Sequence, residues 1–508
     1  MIKNLITLFI LILGLKTATA QNLTAKVIDS HSSEPLAYAN VKVNGVTDLV
    51  TNNEGFFNFN ENQLGESATI NVSYIGYTSL QLSIEDLKKQ NLIIKLSPVS
   101  FELQNMTISN VKPDPYKVIA EVKNRLKENY KSKQVSTQRK LFFRESSTFK
   151  PSILNIELDK STGFSKKQLK DVNADLEKFT GKLIKYPPQG YKDILCNYYY
   201  GKKTSKENKT FFVPKLEVIK ATNISGNESA SSLEDMEDIG TSIILKHLDT
   251  TKFYRVKSGL FGSRDTISLS KTYNDKKNKK KKELSKLQNS KNHIQSFLQQ
   301  QRLDNKKMEF ISDSEAYNYQ FAGKIYNEAE DEIIYIIKFS PKKNRALYNG
   351  TLYVKESDYA VVKCNYNLEE GKKVSGFNLK LILGVKAAEN AGSGTLIFKK
   401  DPESKSYYLQ YAYEETGNYF YINRPLKFIE LTNQEKDVVA LDIKIEGNSI
   451  NKTELLNISS SEITENEFDN YKEADFNFIQ LKRYDPKIWQ NHVSLEPLEE
   501  MKQYHVTE

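Results

Sequence analysis

Apolar and polar residues alternate with period two from Leu23 to about Ser109. The apolar positions form four runs: Leu23, Ala25 and Val27; Ala68, Ile70, Val72 and Tyr74; Leu80, Leu82 and Ile84; and Leu92, Ile94 and Leu96. Successive side chains of a strand point to opposite faces of the sheet, so each run predicts a strand with one buried and one solvated face. Several such strands separated by turn residues predict a β-sandwich.

The period changes to that of a helix after Lys112-Pro113. Asp114 can cap this helix and Pro115 suits its first turn. The apolar face consists of Tyr116, Ile119, Val122, Leu126 and Tyr130. We expect this amphipathic helix to pack on a second domain. The alternative is a helix on a membrane surface, because the basic residues Lys117, Lys123, Arg125 and Lys127 accompany the apolar face.

Strand patterns return from about Glu332 to Glu446 and predict one large antiparallel sheet. The predicted strands are 334–339, 350–354, 359–364, 379–383 and 407–413. The pair of segments 348–354 and 358–362 resembles a hairpin of the curved sheet of lipoprotein carriers. An amphipathic helix is expected around Leu287 to Leu298.

The first twenty residues have the pattern of a signal peptide. An apolar run from Leu5 to Leu15 is followed by Ala18 and Ala20 at the spacing of a cleavage site. The run is much shorter than the about 20 apolar residues that span a bilayer. We therefore expect cleavage after Ala20 and export to the periplasm or the outer membrane, and no cysteine follows the run to carry a lipid anchor.

Composition and charge narrow the class of protein. The 508 residues include 29 Tyr and 25 Phe, and 39% are hydrophobic, which suits a folded, strand-rich chain of two or three domains. The net charge is +9, too small for so long a chain to favour nucleic acid as a partner. A basic run at Lys276 to Lys282 predicts either a solvated loop or contact with anionic lipid or polysaccharide.

Four segments together resemble a known domain: Glu34–Val41, Val43–Gly45, Thr51–Phe57 and Val72–Tyr77. They are similar to the carboxypeptidase regulatory-like domain of secreted and outer-membrane proteins of Bacteroidetes-type bacteria. The resemblance implies a seven-stranded sandwich of the prealbumin or immunoglobulin-like type, and a function in binding rather than catalysis. The segment Leu141–Glu145 and the segment Tyr484–Trp489 resemble later parts of the same exported proteins. We expect Trp489, the sole Trp of this chain, to anchor the tail to the core.

The expected organisation is therefore mainly β. A signal peptide (1–20) precedes the sandwich (21–109), which we expect to fold alone. A linker and helix (110–135) lead to an α+β domain with a curved antiparallel sheet (136–508).

Few residues suggest chemistry. Cys196 and Cys364 could form a disulfide that closes a loop of about 170 residues, or remain two buried thiols. His31 and Glu34 have the spacing of zinc ligands, but a catalytic zinc takes three protein ligands, so we expect neither zinc nor another cofactor. Arg144 and Glu145 are expected to form a structural ion pair, with a binding role as the alternative.

These observations favour a non-catalytic cell-envelope protein. The sandwich would be an interaction module and the sheet a scaffold or a ligand-binding surface, with an envelope protein, a polysaccharide or anionic lipid as partner. Two alternatives are an accessory component of outer-membrane polysaccharide or nutrient uptake and a periplasmic carrier of an apolar ligand. A glycoside hydrolase is not strictly excluded, because its two carboxylates leave no sequence signature when far apart.

Overall fold

The computed structural model describes residues 22–45, 47–60, 68–99, 112–131, 135–161, 165–204, 209–225, 253–258, 261–268, 285–431 and 436–506. The chain divides into two compact units. One comprises Met1–Pro98 and Asp485–Leu498, and the other comprises Val99–Tyr484 and Glu499–Glu508. The predicted fold class, mainly β with N-terminal sheets and one large sheet, is confirmed.

Seven strands of the first unit, counted over its described residues, form two sheets. They are β1 (Asn22–Asp29), β2 (Asn40–Val43), β3 (Thr47–Val50), β4 (Phe56–Asn60), β5 (Thr69–Ser73), β6 (Leu80–Ser83) and β7 (Ile93–Leu96). One sheet has the order β4-β1-β7 and the other β3-β2-β5-β6. β1 runs parallel to β7, and the other neighbours are antiparallel.

The core of this unit follows the predicted alternation. Ala25 and Val27 of β1 and Val41, Ile70 and Val72 of the other sheet are at most 1% exposed. The run at Leu80, Leu82 and Ile84 is only partly a strand, because helix α1 (Ile84–Lys89) begins at Ile84. Its cap explains the change: the Ser83 side chain accepts a hydrogen bond from the Asp86 backbone and so starts a helical turn.

The distant segment Asp485–Leu498 completes the first unit. It contains a 3-10 turn, Pro486–Trp489, and the Trp489 side chain is 2% exposed. Asn58 donates a 2.8 Å hydrogen bond to the Glu496 carboxylate, and Asn52 donates to the carbonyls of Glu496 and Pro497 at 3.3 Å. Our expectation from the sequence had ended the first domain at residue 109 without this segment.

The second unit is built on one sheet of fourteen strands within the described residues. The strands are β8 (Thr137–Ser161), β9 (Gln189–Thr204), β10 (Thr210–Ile224), β11 (Phe253–Ser258), β12 (Phe261–Ser268), β13 (Tyr317–Asn327), β14 (Glu332–Pro341), β15 (Tyr348–Lys355), β16 (Val361–Leu368), β17 (Ser375–Leu379), β18 (Val385–Lys400), β19 (Tyr407–Glu430), β20 (Lys436–Glu462) and β21 (Ile479–Leu481).

The main path through this sheet is β13-β14-β15-β16-β18-β19-β20-β8-β9-β10-β21. Its first seven strands follow chain order and are antiparallel, and four of them, β14, β15, β16 and β19, overlap strands predicted from the sequence. β11 pairs with β12 and β19, β17 pairs with β18, and β21 is parallel to β10. The predicted strand 379–383 was wrong, because these residues close a hairpin as a helical turn, α6 (Lys380–Leu383).

Further helices of the second unit are α2 (Pro115–Asn129), α3 (Lys166–Lys185), α4 (Lys286–Gln300), α5 (Glu309–Ser312), α7 (Glu465–Asn470) and α8 (Glu499–Gln503), with a 3-10 turn at Ser314–Ala316. α2 begins as predicted, with Asp114 accepting from the Tyr116 backbone and Pro115 in the first turn. It packs on β13 and α5. Ile119 and Val122 are buried as expected, whereas Tyr116 is exposed and Val118 takes its place in the core. Within the described residues, no helix is both long and apolar enough to cross a membrane.

Candidate functional site

Two rows of polar side chains cross one face of the sheet over strands β13 to β16. In one row, Gln320 lies opposite Lys338, Lys338 opposite Thr351 and Thr351 opposite Asn365. The next row contains Asn318 opposite Ser340 and Asn349 opposite Asn367. The rows are two residues apart along each strand, so their side chains lie on the same face.

These residues line an open groove of about 500 Å³, together with Tyr319, Phe339 and Gly350. Tyr319 and Phe339 alternate with the polar residues and belong to the opposite face. There the Phe339 ring stacks on Phe310 with the ring centroids 4.2 Å apart, and the Tyr319 hydroxyl donates to the Phe310 carbonyl at 2.6 Å. The polar floor of the groove is therefore backed by a packed aromatic core, which restricts its movement.

One polar atom of the groove has unused capacity for hydrogen bonds. The Asn365 Oδ1 atom is buried and accepts no hydrogen bond from any described residue. Leaving a buried acceptor unpaired costs about 1–3 kcal/mol, so a ligand donor that reaches this oxygen would be stabilising. Asn349 donates to the Glu369 carboxylate, which holds its amide in place. The arrangement can bind groups that both donate and accept hydrogen bonds.

Arg144 lies on β8, farther along the same sheet, and its partner differs from the predicted one. Its Nε and Nη2 atoms donate to the two carboxylate oxygens of Asp193 at 2.7 and 2.8 Å, and both side chains are buried. Adjacent residues of a strand point to opposite faces, so Glu145 cannot pair with Arg144. Glu145 instead lies 3.4 Å from the His293 ring.

Glu454 faces Arg144 from the neighbouring strand β20. Burial raises the pKa of Glu454 above its usual value, although the charge of Arg144 acts in the opposite direction. The Tyr411 hydroxyl donates to Glu454 at 2.8 Å. Burial alone would lower the pKa of Arg144, but the charge and hydrogen bonds of Asp193 raise it. This network joins β20, β8, β9 and β19, so its geometry indicates a structural role.

Cys196 and Cys364 are two free, fully buried thiols. Cys196 lies on β9, and Cys364 lies on β16. Burial raises the pKa of both thiols, which keeps them protonated and unreactive. Of the two alternatives left by the sequence, the structure has the unbonded pair.

Comparison with known proteins identifies a family for the N-terminal residues. Residues 23–108 match the CarboxypepD_reg-like domain. The chain has an N-terminal CarboxypepD_reg-like domain. No curated protein sequence matches the chain.

Solved structures with some similarity include a DUF1329 family protein from Desulfovibrio piger, at 10% identity and a TM-score of 0.16, with 66% of this chain and 93% of that one covered. Another is a putative membrane-associated protein of unknown function from Bacteroides fragilis, at 9% identity and a TM-score of 0.12, with 87% of this chain and 98% of that one covered. Scores this low carry no argument about fold or function.

Within the CarboxypepD_reg-like domain, His31 and Glu34 lie in an exposed turn after β1. Asp29 organises this turn, because its carboxylate accepts from the backbones of His31 and Ser32 and from the Tyr77 hydroxyl. The hydrogen bonds from Ser32, Tyr77 and His31, in that order, lower the pKa of Asp29 to about 2. The described residues contain no group of three or more His, Cys, Asp or Glu that could hold a metal. The predicted signal peptide and the basic run 276–282 lie outside the described residues.

The groove is the site that our sequence reasoning missed. Its residues occur as polar-aromatic-polar triplets on three strands: Asn318-Tyr319-Gln320, Lys338-Phe339-Ser340 and Asn365-Tyr366-Asn367. This repeated triplet was a usable signal, because it predicts a polar face backed by an aromatic one. We had interpreted the aromatic residues only as core.

Proposed function

We propose that this protein is a non-catalytic cell-envelope protein whose large sheet binds a hydroxyl-rich ligand, such as a segment of polysaccharide, in the groove of β13 to β16. The observation that carries this proposal is the unpaired Asn365 Oδ1 atom on a floor of amides and hydroxyls. The signal-peptide pattern supports export, and the CarboxypepD_reg-like domain would act as an interaction module.

The chemistry of the groove supports a saccharide over an apolar ligand. A sugar hydroxyl both donates and accepts, so it can donate to Asn365 while accepting from a neighbouring amide or from Lys338. An apolar ligand would instead cover these groups without pairing them, which costs free energy for each one. The side chains lining the groove therefore favour an accessory role in polysaccharide uptake over the carriage of an apolar ligand.

The lining residues also support binding rather than hydrolysis. A glycoside hydrolase usually holds two carboxyl groups on either side of the scissile bond. The groove is lined by amides, hydroxyls and Lys338, and Glu369 is engaged with Asn349 near it. Such a site can orient a glycan but supplies no matched acid and base from its lining.

The test is binding of the purified mature protein to a panel of soluble neutral and acidic polysaccharides, measured by affinity electrophoresis and calorimetry. We expect Asn365→Ala to weaken binding by about tenfold, the effect of one lost hydrogen bond to a desolvated group. Asn448→Ala is a matched control, because Asn448 is an exposed asparagine on β20 and does not line the groove. Equal affinities of Asn365→Ala and wild-type protein, or no binding to any glycan, would contradict the proposal.

A further inference from the structure

A hairpin at the edge of the large sheet has a fixed conformation. β17 pairs antiparallel with residues 385–389 of β18, and the helical turn α6 joins the two strands. Gly384 ends this turn with φ +66°, a conformation that favours glycine. Its carbonyl accepts a 2.7 Å hydrogen bond from the Asn423 backbone, and a Cβ atom at Gly384 would lie 2.1 Å from the Asn423 carbonyl oxygen. The tip is therefore held against β19.

This fixed tip presents large apolar side chains to solvent. Leu381 is 101% exposed and Ile382 76% exposed, while Phe377 and Leu379 on the strand below are 52% and 38% exposed. Single exposed apolar residues are common, but four in one short hairpin form a contiguous patch. Such a patch, held by a glycine-closed turn, marks a surface that contacts another apolar phase or molecule.

Basic and aromatic side chains surround the apolar tip. The Lys380 ammonium lies 4.0 Å from the centroid of the Tyr421 ring, and the Lys386 ammonium lies 5.0 Å from that of Tyr419. Lys444 is exposed opposite Asn423, beside the end of the hairpin. Carboxylates are also near: Glu446 accepts from the Tyr419 hydroxyl, and Glu389, at the base of the hairpin, accepts from the Ser375 hydroxyl.

We propose that this hairpin, Ser375–Glu389, is a peripheral anchor that inserts Leu381 and Ile382 into the surface of an anionic lipid bilayer. Tyrosine and lysine are the residues that favour the boundary between headgroups and acyl chains, since each has an apolar body and a polar end. The lysines match the negative charge of the lipid headgroups. Two exposed aliphatic side chains on one turn suit shallow, reversible insertion.

The experiment is vesicle flotation with the full mature chain. We expect binding to phosphatidylcholine vesicles that contain about a third phosphatidylglycerol, and weaker binding to phosphatidylcholine alone. Binding should also fall at about 0.5 M salt, because lysine attraction to the surface is screened. The double variant Leu381→Ser/Ile382→Ser should lower the partition coefficient by at least about tenfold for each substituted residue. The reason is that serine gains none of the free energy that an aliphatic side chain gains when it leaves water.

The control variant is Ile184→Ser, because Ile184 is also an exposed aliphatic residue, 47% exposed on α3 and outside the hairpin. It should leave vesicle binding unchanged. A second variant, Lys380→Gln/Lys386→Gln, tests the charges separately and should remove the preference for anionic lipid. Circular dichroism spectra and thermal melting of each variant establish that it folds.

Three results would overturn the proposal. One is no flotation of the wild-type protein with anionic vesicles, and another is flotation that the Leu381→Ser/Ile382→Ser variant retains. The third is that Leu381→Ser/Ile382→Ser changes the oligomeric state, measured by sedimentation velocity, but leaves flotation unchanged. That result would assign the tip to a contact between two copies. The groove variant Asn365→Ala should float like wild-type protein, so this test is independent of glycan binding.

Discussion

The segment Asp485–Leu498 should decide whether the CarboxypepD_reg-like domain is stable outside the full chain. The perturbation is to remove it, by producing residues 21–109 alone, and then to supply it as a synthetic peptide of residues 485–498. We expect the fragment alone to be much less stable than the fragment with the peptide. This expectation replaces our inference from the sequence that residues 21–109 complete their own core.

The magnitude follows from the burial of Trp489. Burial of a Trp side chain removes about 150–250 Å² of surface from water. At about 25 cal/mol per Å², this burial stabilises the folded domain by roughly 4–6 kcal/mol. The amides of Asn52 and Asn58 contribute less, because water replaces their partners when the segment leaves. A loss of this size is a large part of the about 5–15 kcal/mol that stabilises an ordinary domain.

The assay uses the sole Trp of the chain. The fragment has none, so all Trp fluorescence comes from the peptide, and its blue shift on mixing reports burial of Trp489. Urea titrations followed by circular dichroism then give the stability with and without the peptide. A peptide with Trp489→Ala is the control. Stabilities that agree within about 1 kcal/mol, with no blue shift, would show that residues 21–109 complete their core without this segment.

Three further predictions concern the second unit and the N-terminus. Asp193→Asn should lower the free energy of unfolding by about 3–5 kcal/mol in urea titrations, because it leaves a buried Arg charge without its partner. Glu145→Gln should change it by less than about 1 kcal/mol, because Glu145 is partly exposed. The folded-state pKa of Glu454 is raised, so the stability that it contributes is present at acidic pH and is lost as pH rises through the folded pKa. Glu454→Gln should therefore match wild-type protein near about pH 4 and be the more stable of the two near about pH 7, as measured by melting across this range. N-terminal sequencing of protein from the envelope fraction should begin at Gln21, and an intact N-terminus from cytosol would contradict export.

Local patterns determined much of the architecture. The buried alternation of β1 and β5, the start of α2 at Asp114-Pro115 and the antiparallel series from β14 onward all follow from signals within about ten residues of one another. Gly55 is a similar case. Its φ of +79° and the 2.7 Å between an added Cβ and the Val27 carbonyl explain why glycine precedes Phe57 in that turn.

The tertiary structure decided the features that depend on distant pairing. Arg144 meets Asp193 because β8 and β9 pair in one register, and a shift of one residue would place the two side chains on opposite faces. Trp489 joins a domain whose strands end almost 400 residues earlier in the chain. The amides of the groove come from separate strands, and each alone resembles any exposed polar position. Period and capping therefore predicted strands such as β1 and β5, their buried faces and the start of α2, because these signals act over a few residues. Partners across the sheet depend on register and chain path, which a local pattern does not contain.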